Sequence, residues 1–283
     1  MNFAGLPIED LMRAPIFLAL YPALLLVAKW FKGLQIAYKI NQQLSEDGNF
    51  AIGLAMSGYY LATAAIYVGA LYGPSHGLLQ DLLAVGGYSL AGIVLLNLSR
   101  WFNDWAILRR FDDTHQLVAQ KNAGVGAVHF GAYVATGLVI AGSVSGEGGG
   151  LVSMLVFFVL GQLSLFIFSL IYERLSPYNI HATLIDRNVA SGVAFAGHLI
   201  ALAIIIMNAS AGDFVNWSAD LTTFLAADLI AFVFLPILRL IMDRMVIPGR
   251  SLGREIRDNG NLAAALLEAT TAICFAGVTA ILI

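Results

Sequence analysis

The stretch Asn122-Ala-Gly-Val-Gly126-Ala-Val-His-Phe-Gly131 occurs in four related copies, each standing just before a long apolar run. The copies begin at Asn49, Asn122, Asn188 and Asn261, spaced 66 to 73 residues apart. Counting the Asn as zero, position four reads Gly53, Gly126, Gly192 and Ala265, and position nine reads Gly58, Gly131, Gly197 and Thr270. A repeat of that length with two apolar segments implies an all-α, polytopic membrane protein built from four two-helix units. Because each unit crosses twice, successive units enter with the same polarity, as parallel repeats about an axis along the membrane normal. A four-fold pseudo-ring and a pair of four-helix halves both satisfy this.

Composition sets the solvent. Only 12% of the residues are charged and 59% are hydrophobic, whereas a soluble domain is roughly a quarter charged. Eight apolar runs are readable, at 14–31, 50–72, 82–99, 123–144, 151–172, 189–207, 221–242 and 262–283, each near the ~20 residues a helix needs to cross a bilayer. They form one membrane domain over 1–283, with repeats at about 14–72, 82–144, 151–207 and 221–283. The first run has no small-residue cleavage site and continues into Lys29, Trp30, Phe31 and Lys32, so it reads as a retained span.

Charge gives the orientation. All but one of the 15 basic residues fall after spans one (Lys29, Lys32, Lys39), three (Arg100, Arg109, Arg110, Lys121), five (Arg174, Arg187) and seven (Arg239, Arg244, Arg250, Arg254, Arg257). The exception, Arg13, lies beside Glu9 and Asp10 in the N-terminal tail. The positive-inside rule makes these loops cytoplasmic and sends both termini outward. Trp30, Trp101, Trp105 and Trp217 read as interfacial anchors, and Pro15, Pro22 and Pro236 should kink or locally unwind spans one and seven.

The repeated motif has a local physical meaning. Asn is a favoured helix N-cap, and Asp47, Asp186 and Asp258 stand two or three residues before three of the four. Each Asn should therefore start an even-numbered span. At 100° per residue, positions four and nine project about 40° and 180° from the Asn, so small residues there open both sides of the helix to close neighbours. The even-numbered spans are the inner, tightly packed ones by this argument.

The segments Ser45-Glu-Asp-Gly-Asn49-Phe-Ala-Ile-Gly-Leu-Ala-Met-Ser-Gly58, Ser176-Pro-Tyr178 with Asp186-Arg-Asn188-Val-Ala-Ser-Gly192, and Glu255-Ile-Arg-Asp-Asn-Gly-Asn261-Leu-Ala-Ala-Ala resemble the YjfL-like family of bacterial inner-membrane proteins, domain of unknown function 350. The resemblance spans essentially the whole chain and implies a bacterial inner-membrane location, without bringing any catalytic residue. Repeat two lacks the acid before Asn122, and repeat four has Ala265 and Thr270 in place of both glycines, departures that indicate specialised repeats.

Signatures of catalysis are thin. Gly73-Pro-Ser75-His-Gly77 matches the nucleophile-elbow pattern, but in a short outward loop between two spans rather than at a strand-to-helix turn, and chance explains it better. The loop Gly146-Glu-Gly-Gly-Gly150 has no phosphate-loop lysine and reads as a flexible outer connection. One cysteine, Cys274, in an apolar run offers neither a disulfide framework nor a thiolate metal site, and no paired-His metal spacing occurs. No enzyme, cofactor, metal or nucleic-acid partner is expected.

The informative polar residues lie inside the spans. Asp228 and Glu268 sit seven residues into spans seven and eight, where a charge costs roughly 2.5–3.5 kcal/mol on insertion scales and must face protein or water. At motif position seven stand Met56, His129, Phe195 and Glu268; at position ten stand Tyr59, Ala132, His198 and Thr271. Repeats packed about one axis would bring His129 and Glu268 into one layer, and Glu268, Asp228, His129, His198 and Tyr59 into a vertical ladder. Each is equally readable as a hydrogen-bonded packing residue. Two functions follow: a small proton- or cation-coupled transporter or channel, or a noncatalytic scaffold whose inner loops, such as 246–260, dock partners of an envelope or membrane-stress complex. Beyond the lipid bilayer, a homo-oligomer and a cytoplasmic or membrane protein are the partners to consider.

Overall fold

This computed structural model describes residues 8–106, 113–245 and 250–283. Arg109, Arg110 and the first part of the 246–260 loop lie outside the described residues, as do the side chains of Glu9, Asp10 and Trp105. The chain runs α1 (Ile8–Gln35), α2 (Ile40–Ser45), α3 (Phe50–Leu71), α4 (Leu78–Ala106), one π-helical turn (His115–Ala119), α5 (Ala123–Val144), α6 (Gly150–Leu175), α7 (Ile180–Ile185), α8 (Val189–Ser210), α9 (Trp217–Met245), α10 (Leu252–Asn259) and α11 (Leu262–Leu282). Among the described residues, eight of these helices are long and apolar enough to cross a membrane: α1, α3, α4, α5, α6, α8, α9 and α11. The chain is an all-helical integral membrane protein.

The even-numbered spans begin where the motif places them. Asn49, Asn122, Asn188 and Asn261 all adopt extended backbone at the N-cap, and each side-chain oxygen accepts from the first-turn backbone N–H groups. The residue before each Asn is left-handed, at φ between 48° and 60° (Gly48, Lys121, Arg187, Gly260), so the chain turns sharply from a short helical segment into the cap. Lys121 and Arg187 carry side chains in a conformation that costs about 1–2 kcal/mol without glycine. Both gain an offsetting contact to the preceding unit: Lys121 donates to the Asp47 carbonyl at 2.6 Å, and Arg187 donates to Gln120.

The odd-numbered spans are longer than their apolar runs. α4, α6 and α9 hold 29, 26 and 29 residues, because they continue past the apolar stretch into polar first and last turns. α1 runs through Pro15 and Pro22, and α9 through Pro236, without a break, so the expected unwinding does not occur. A helix in a bundle tolerates the missing donor. Trp30 and Trp101 are exposed, as anchors should be. The 146–150 loop is tied down rather than loose: Gly146 donates to the Tyr72 carbonyl, and Phe214 donates to the Glu147 carbonyl.

The four Asn-capped helices stand side by side in the order α3, α5, α8, α11, and α3 and α11 share no packed interface. They form an open row rather than a closed ring. Small residues set its spacing. A Cβ on Gly58 would strike the Phe130 backbone, one on Gly131 the Ala196 backbone and one on Gly197 the Ala269 backbone, so position nine of each helix seats on position eight of the next. In the reverse direction, position four of α5 (Gly126) meets Ala51, and that of α8 (Gly192) meets Gly124. These are the close backbone approaches that drive helix association in lipid, where apolar burial alone gives no net attraction. One departure in repeat four follows: Thr270 has no succeeding helix to seat on and lies exposed, so glycine is not required there.

The remaining spans lie along one side of this row. α4 fills the groove between α3 and α5, α6 that between α5 and α8, and α9 that between α8 and α11, while α1 leans on α3 and α4. On the side of the membrane that bears the basic loops, the Asn caps stitch the row together. The Asn49 amide donates to the Leu117 carbonyl at 2.9 Å, Asn122 to Leu184 at 2.6 Å and Asn188 to Ile256 at 2.8 Å, each reaching into the segment that precedes the next inner helix. Asn261 has no successor, and its amide turns back to Glu255 at 3.4 Å.

Candidate functional site

Motif positions seven and ten project about 340° and 280° from the Asn, away from both row contacts and toward the outer helices. Polar side chains at these positions therefore meet α1, α4, α6 and α9. Two separate clusters result.

The first is formed by α6, α8, α9 and α11. Glu268 is buried about 10 Å along α11 from its start, at ~1.5 Å per residue. Arg239 Nε donates to Glu268 Oε1 at 2.9 Å, and Tyr172 OH donates to the same oxygen at 3.2 Å. His198 Nδ1 lies 3.8 Å from Oε1 and 3.0 Å from the Ala194 carbonyl, an acceptor that favours the tautomer protonated at Nδ1. The Arg239 guanidinium lies 4.1 Å from the centre of the Tyr172 ring, which also packs against Phe195 and His198. Arg239 Nη1 donates to Ser176 Oγ at 2.7 Å, whereas Nη2 is buried without a hydrogen-bond partner among the described residues. Ser176 and Tyr178 face an open cavity of about 550 Å³ on the basic side, also lined by Glu173, Arg174 and Asn179. Burial pushes the Tyr178 hydroxyl up to about 12, against the opposing pull of Arg239, so Tyr178 is neutral between the cavity and the ion pair.

The second cluster is formed by α1, α3, α4 and α5. Tyr59 is fully buried, donates to the Ala28 carbonyl at 2.8 Å and accepts from Asn97 at 2.9 Å. Lys32 Nζ is held over the Tyr133 ring, 4.6 Å from its centre, and donates to the Tyr133 hydroxyl. The Tyr133 ring meets Tyr59 edge-on and lies 6.0 Å from His129, whose Nε2 is 3.8 Å from Asp113.

The five residues singled out in the sequence thus divide. Glu268 and His198 come together; Tyr59 and His129 belong to the other cluster. His129 and Glu268 stand at the same motif depth but do not meet, because α8 stands between α5 and α11 in an open row. Asp228 is buried on α9 and accepts from Ser164, with Oδ1 unpartnered. Eleven residues separate it from Arg239, so both lie on one face of α9, about 16 Å apart. Leu165, Phe168 and Leu235 are buried at the levels between them, and Phe168 stacks on Phe232 at 6.2 Å. The ladder has an apolar interruption.

Sequence reasoning missed Arg239 and Lys32 as site residues. Both were counted among the basic loops, yet they are 8% and 3% exposed within the packed helices. The signal for Arg239 was its place three turns from Asp228 on one face of a helix. Nothing local marks Lys32, which lies over Tyr59 of α3 and Tyr133 of α5.

The chain matches the sequence profile of the Domain of Unknown Function family DUF350 twice, at residues 5–144 and 148–283. The chain belongs to this family. It is also 23% identical over 249 residues to a protein described as a UPF0719 transmembrane protein of Aquifex aeolicus (strain VF5), covering 85% of this chain and 88% of that protein. No solved structure matches. The boundary between the DUF350 matches falls between α5 and α6, so each match holds one cluster. His129 and Glu268 occupy the same place in the two DUF350 segments, as do Tyr59 and His198. Each segment gathers a cation, an acid, tyrosine and histidine: Lys32, Asp113, Tyr133 and His129 in the first, and Arg239, Glu268, Tyr172 and His198 in the second.

Proposed function

We propose that this protein is a noncatalytic, proton-coupled cation transporter of the bacterial inner membrane, with Glu268 as its exchange site. The carrying observation is the buried Arg239–Glu268 pair, flanked by His198 and Tyr172 and hydrogen-bonded through Arg239 to Ser176, which lines a basic-side cavity. Charges within a membrane are retained mainly where they move ions or protons. An acid paired with arginine has two alternative partners for its negative charge, the guanidinium or an incoming proton or cation. Switching between them couples occupancy to helix position. The apolar layer between Asp228 and Glu268 supports a carrier that exposes the two acids in turn, rather than an open channel.

The basic-loop side is assigned to the cytoplasm, with both termini outward. Alkaline phosphatase fused after Ile283 is then active in a bacterial host, and an inactive fusion would reverse the assignment. The transport test is ion flux in proteoliposomes under an imposed pH gradient. Wild type should dissipate the gradient when alkali or small organic cations are supplied, while Glu268→Gln and Asp228→Asn should not.

One observation favours a scaffold instead: Glu268 Oε1 already accepts from both Arg239 and Tyr172 in a buried site. Absence of flux from wild type, or flux unchanged in both variants, would establish that reading.

A further inference from the structure

We propose that two copies of the chain join head to tail in the membrane, the free edge of α11 in one packing against the free edge of α3 in the other. The argument is independent of transport. It rests on an interface the chain already makes three times, α3 on α5, α5 on α8 and α8 on α11, always with the same edges. The forward edge uses position two (Ala51, Gly124), position nine (Gly58, Gly131, Gly197), position thirteen (Ala62) and position twenty (Gly69, Gly142). The backward edge uses position four (Gly126, Gly192), position eight (Phe130, Ala196, Ala269), position fifteen (Gly137) and position nineteen (Ala141, Met207).

At the ends of the row, both edges persist without a neighbour among the described residues. The forward edge of α11 exposes Ala263, Thr270 and Cys274, and the backward edge of α3 leaves Ser57 and Val68 exposed, with Gly53 and Ala64 half-buried. The rim on the basic side says the same. Leu117 and Ile256, five residues before their Asn caps, are 5% and 0% exposed where the preceding unit covers them, whereas Leu44, five before Asn49, is 39% exposed. Asn261 is the cap whose amide reaches no following segment, and the Leu44 carbonyl of a second copy is the acceptor equivalent to Leu117.

The geometry also selects the number of copies. At 100° per residue the backward edge centres near 70° and the forward edge near 200°, about 130° apart on the side opposite the outer helices. A polygon with interior angles of about 130° closes at roughly seven sides; the nearest number that whole chains of four inner helices supply is eight, at about 135°. Two copies related by a two-fold axis along the membrane normal therefore close the row. The enclosed wall is apolar, with Leu61, Leu138 and Met207 lining a groove of about 710 Å³ on that side, so the ring holds lipid chains rather than a water channel.

The native cysteine provides the probe. Inside the chain, Ala62 at position thirteen packs on Gly137 at position fifteen. The equivalent pair at the junction is Cys274 of one copy with position 64 of the other, a backbone approach close enough for a disulfide. Ala64→Cys should give, on oxidation in native membranes, a reducible band at twice the chain mass that holds the bulk of the protein. No intrachain bond can compete, because α5 and α8 separate the two positions. Wild type and the Ala64→Cys/Cys274→Ser variant should stay monomeric on the same gel. Equal crosslinking in wild type would indicate α11 against α11, and equal crosslinking in the double variant α3 against α3; either overturns the proposal. So does the absence of a dimer band, and a ladder extending beyond the dimer overturns two-copy closure. Native mass measurement of unmodified protein in nanodiscs should give two chains, and a single chain refutes the assembly even if Ala64→Cys fails to fold.

Discussion

Replacing Glu268 by Gln removes the negative charge that Arg239 faces at 2.9 Å. At that separation and an effective dielectric of ~20, the direct attraction is about 6 kcal/mol, most of it offset by the desolvation of two buried ions. Breaking such a pair from one side leaves the other charge uncompensated, which costs about 3–5 kcal/mol. The Gln amide oxygen still accepts from Arg239 Nε, so the lower end of that range is expected. Arg239→Gln should cost a similar amount. The double variant Glu268→Gln/Arg239→Gln places two neutral amides in contact and should recover most of the loss, giving a coupling energy of about 5 kcal/mol. The assay is a double-mutant cycle by SDS titration in mixed micelles, read by tryptophan fluorescence. Coupling under about 0.5 kcal/mol would show that the pair is geometric only, and would remove the energetic basis for Glu268 as an exchange site. The double variant should still fail to carry ions, which separates loss of chemistry from loss of fold.

Gly131→Ala drives a methyl into the Ala196 backbone and should destabilise the α5–α8 seam by about 1–3 kcal/mol, whereas Gly87→Ala on the exposed face of α4 meets nothing within 4 Å and should be neutral; thermal unfolding in detergent distinguishes them. Asn122→Ala loses a cap and the bond to the Leu184 carbonyl and should cost about 2 kcal/mol in the same measurement. Hydrogen bonds from Asn259, Arg250 and Asn261 hold the Glu255 carboxyl below its ordinary range. Its folded value is the lower one, so its contribution to anchoring α10 is complete above the ordinary carboxylate range and disappears as pH falls through the depressed value. Protection factors for 252–259, taken against the intrinsic exchange rate at each pH, should be high at pH 7 and fall as the pH drops below the ordinary carboxylate range, and Glu255→Gln should abolish that dependence.

The periodic Asn and its following small residues were enough to place the starts of α3, α5, α8 and α11, because an N-cap and a close helix contact are local demands written at fixed spacing. The eight crossings were equally legible, since a bilayer requires apolar runs of a minimum length whatever the fold. The ends of α4, α6 and α9 were less so, because a helix hydrogen-bonds through polar residues as readily as through apolar ones. Which polar groups meet could not be read from one unit. His129 and Glu268 occupy the same motif position, yet whether equivalent positions face one another depends on whether the row closes on itself, a property of helix rotation and crossing that no single repeat encodes. In an open row those positions point outward to α1, α4, α6 and α9. Glu268 therefore takes Arg239 and Tyr172 as partners, and Lys32 is drawn in over Tyr133. The sequence supplied the charges and the depth at which each sits; tertiary packing chose their partners, because a buried ion is stabilised only by groups that other helices bring within hydrogen-bonding distance.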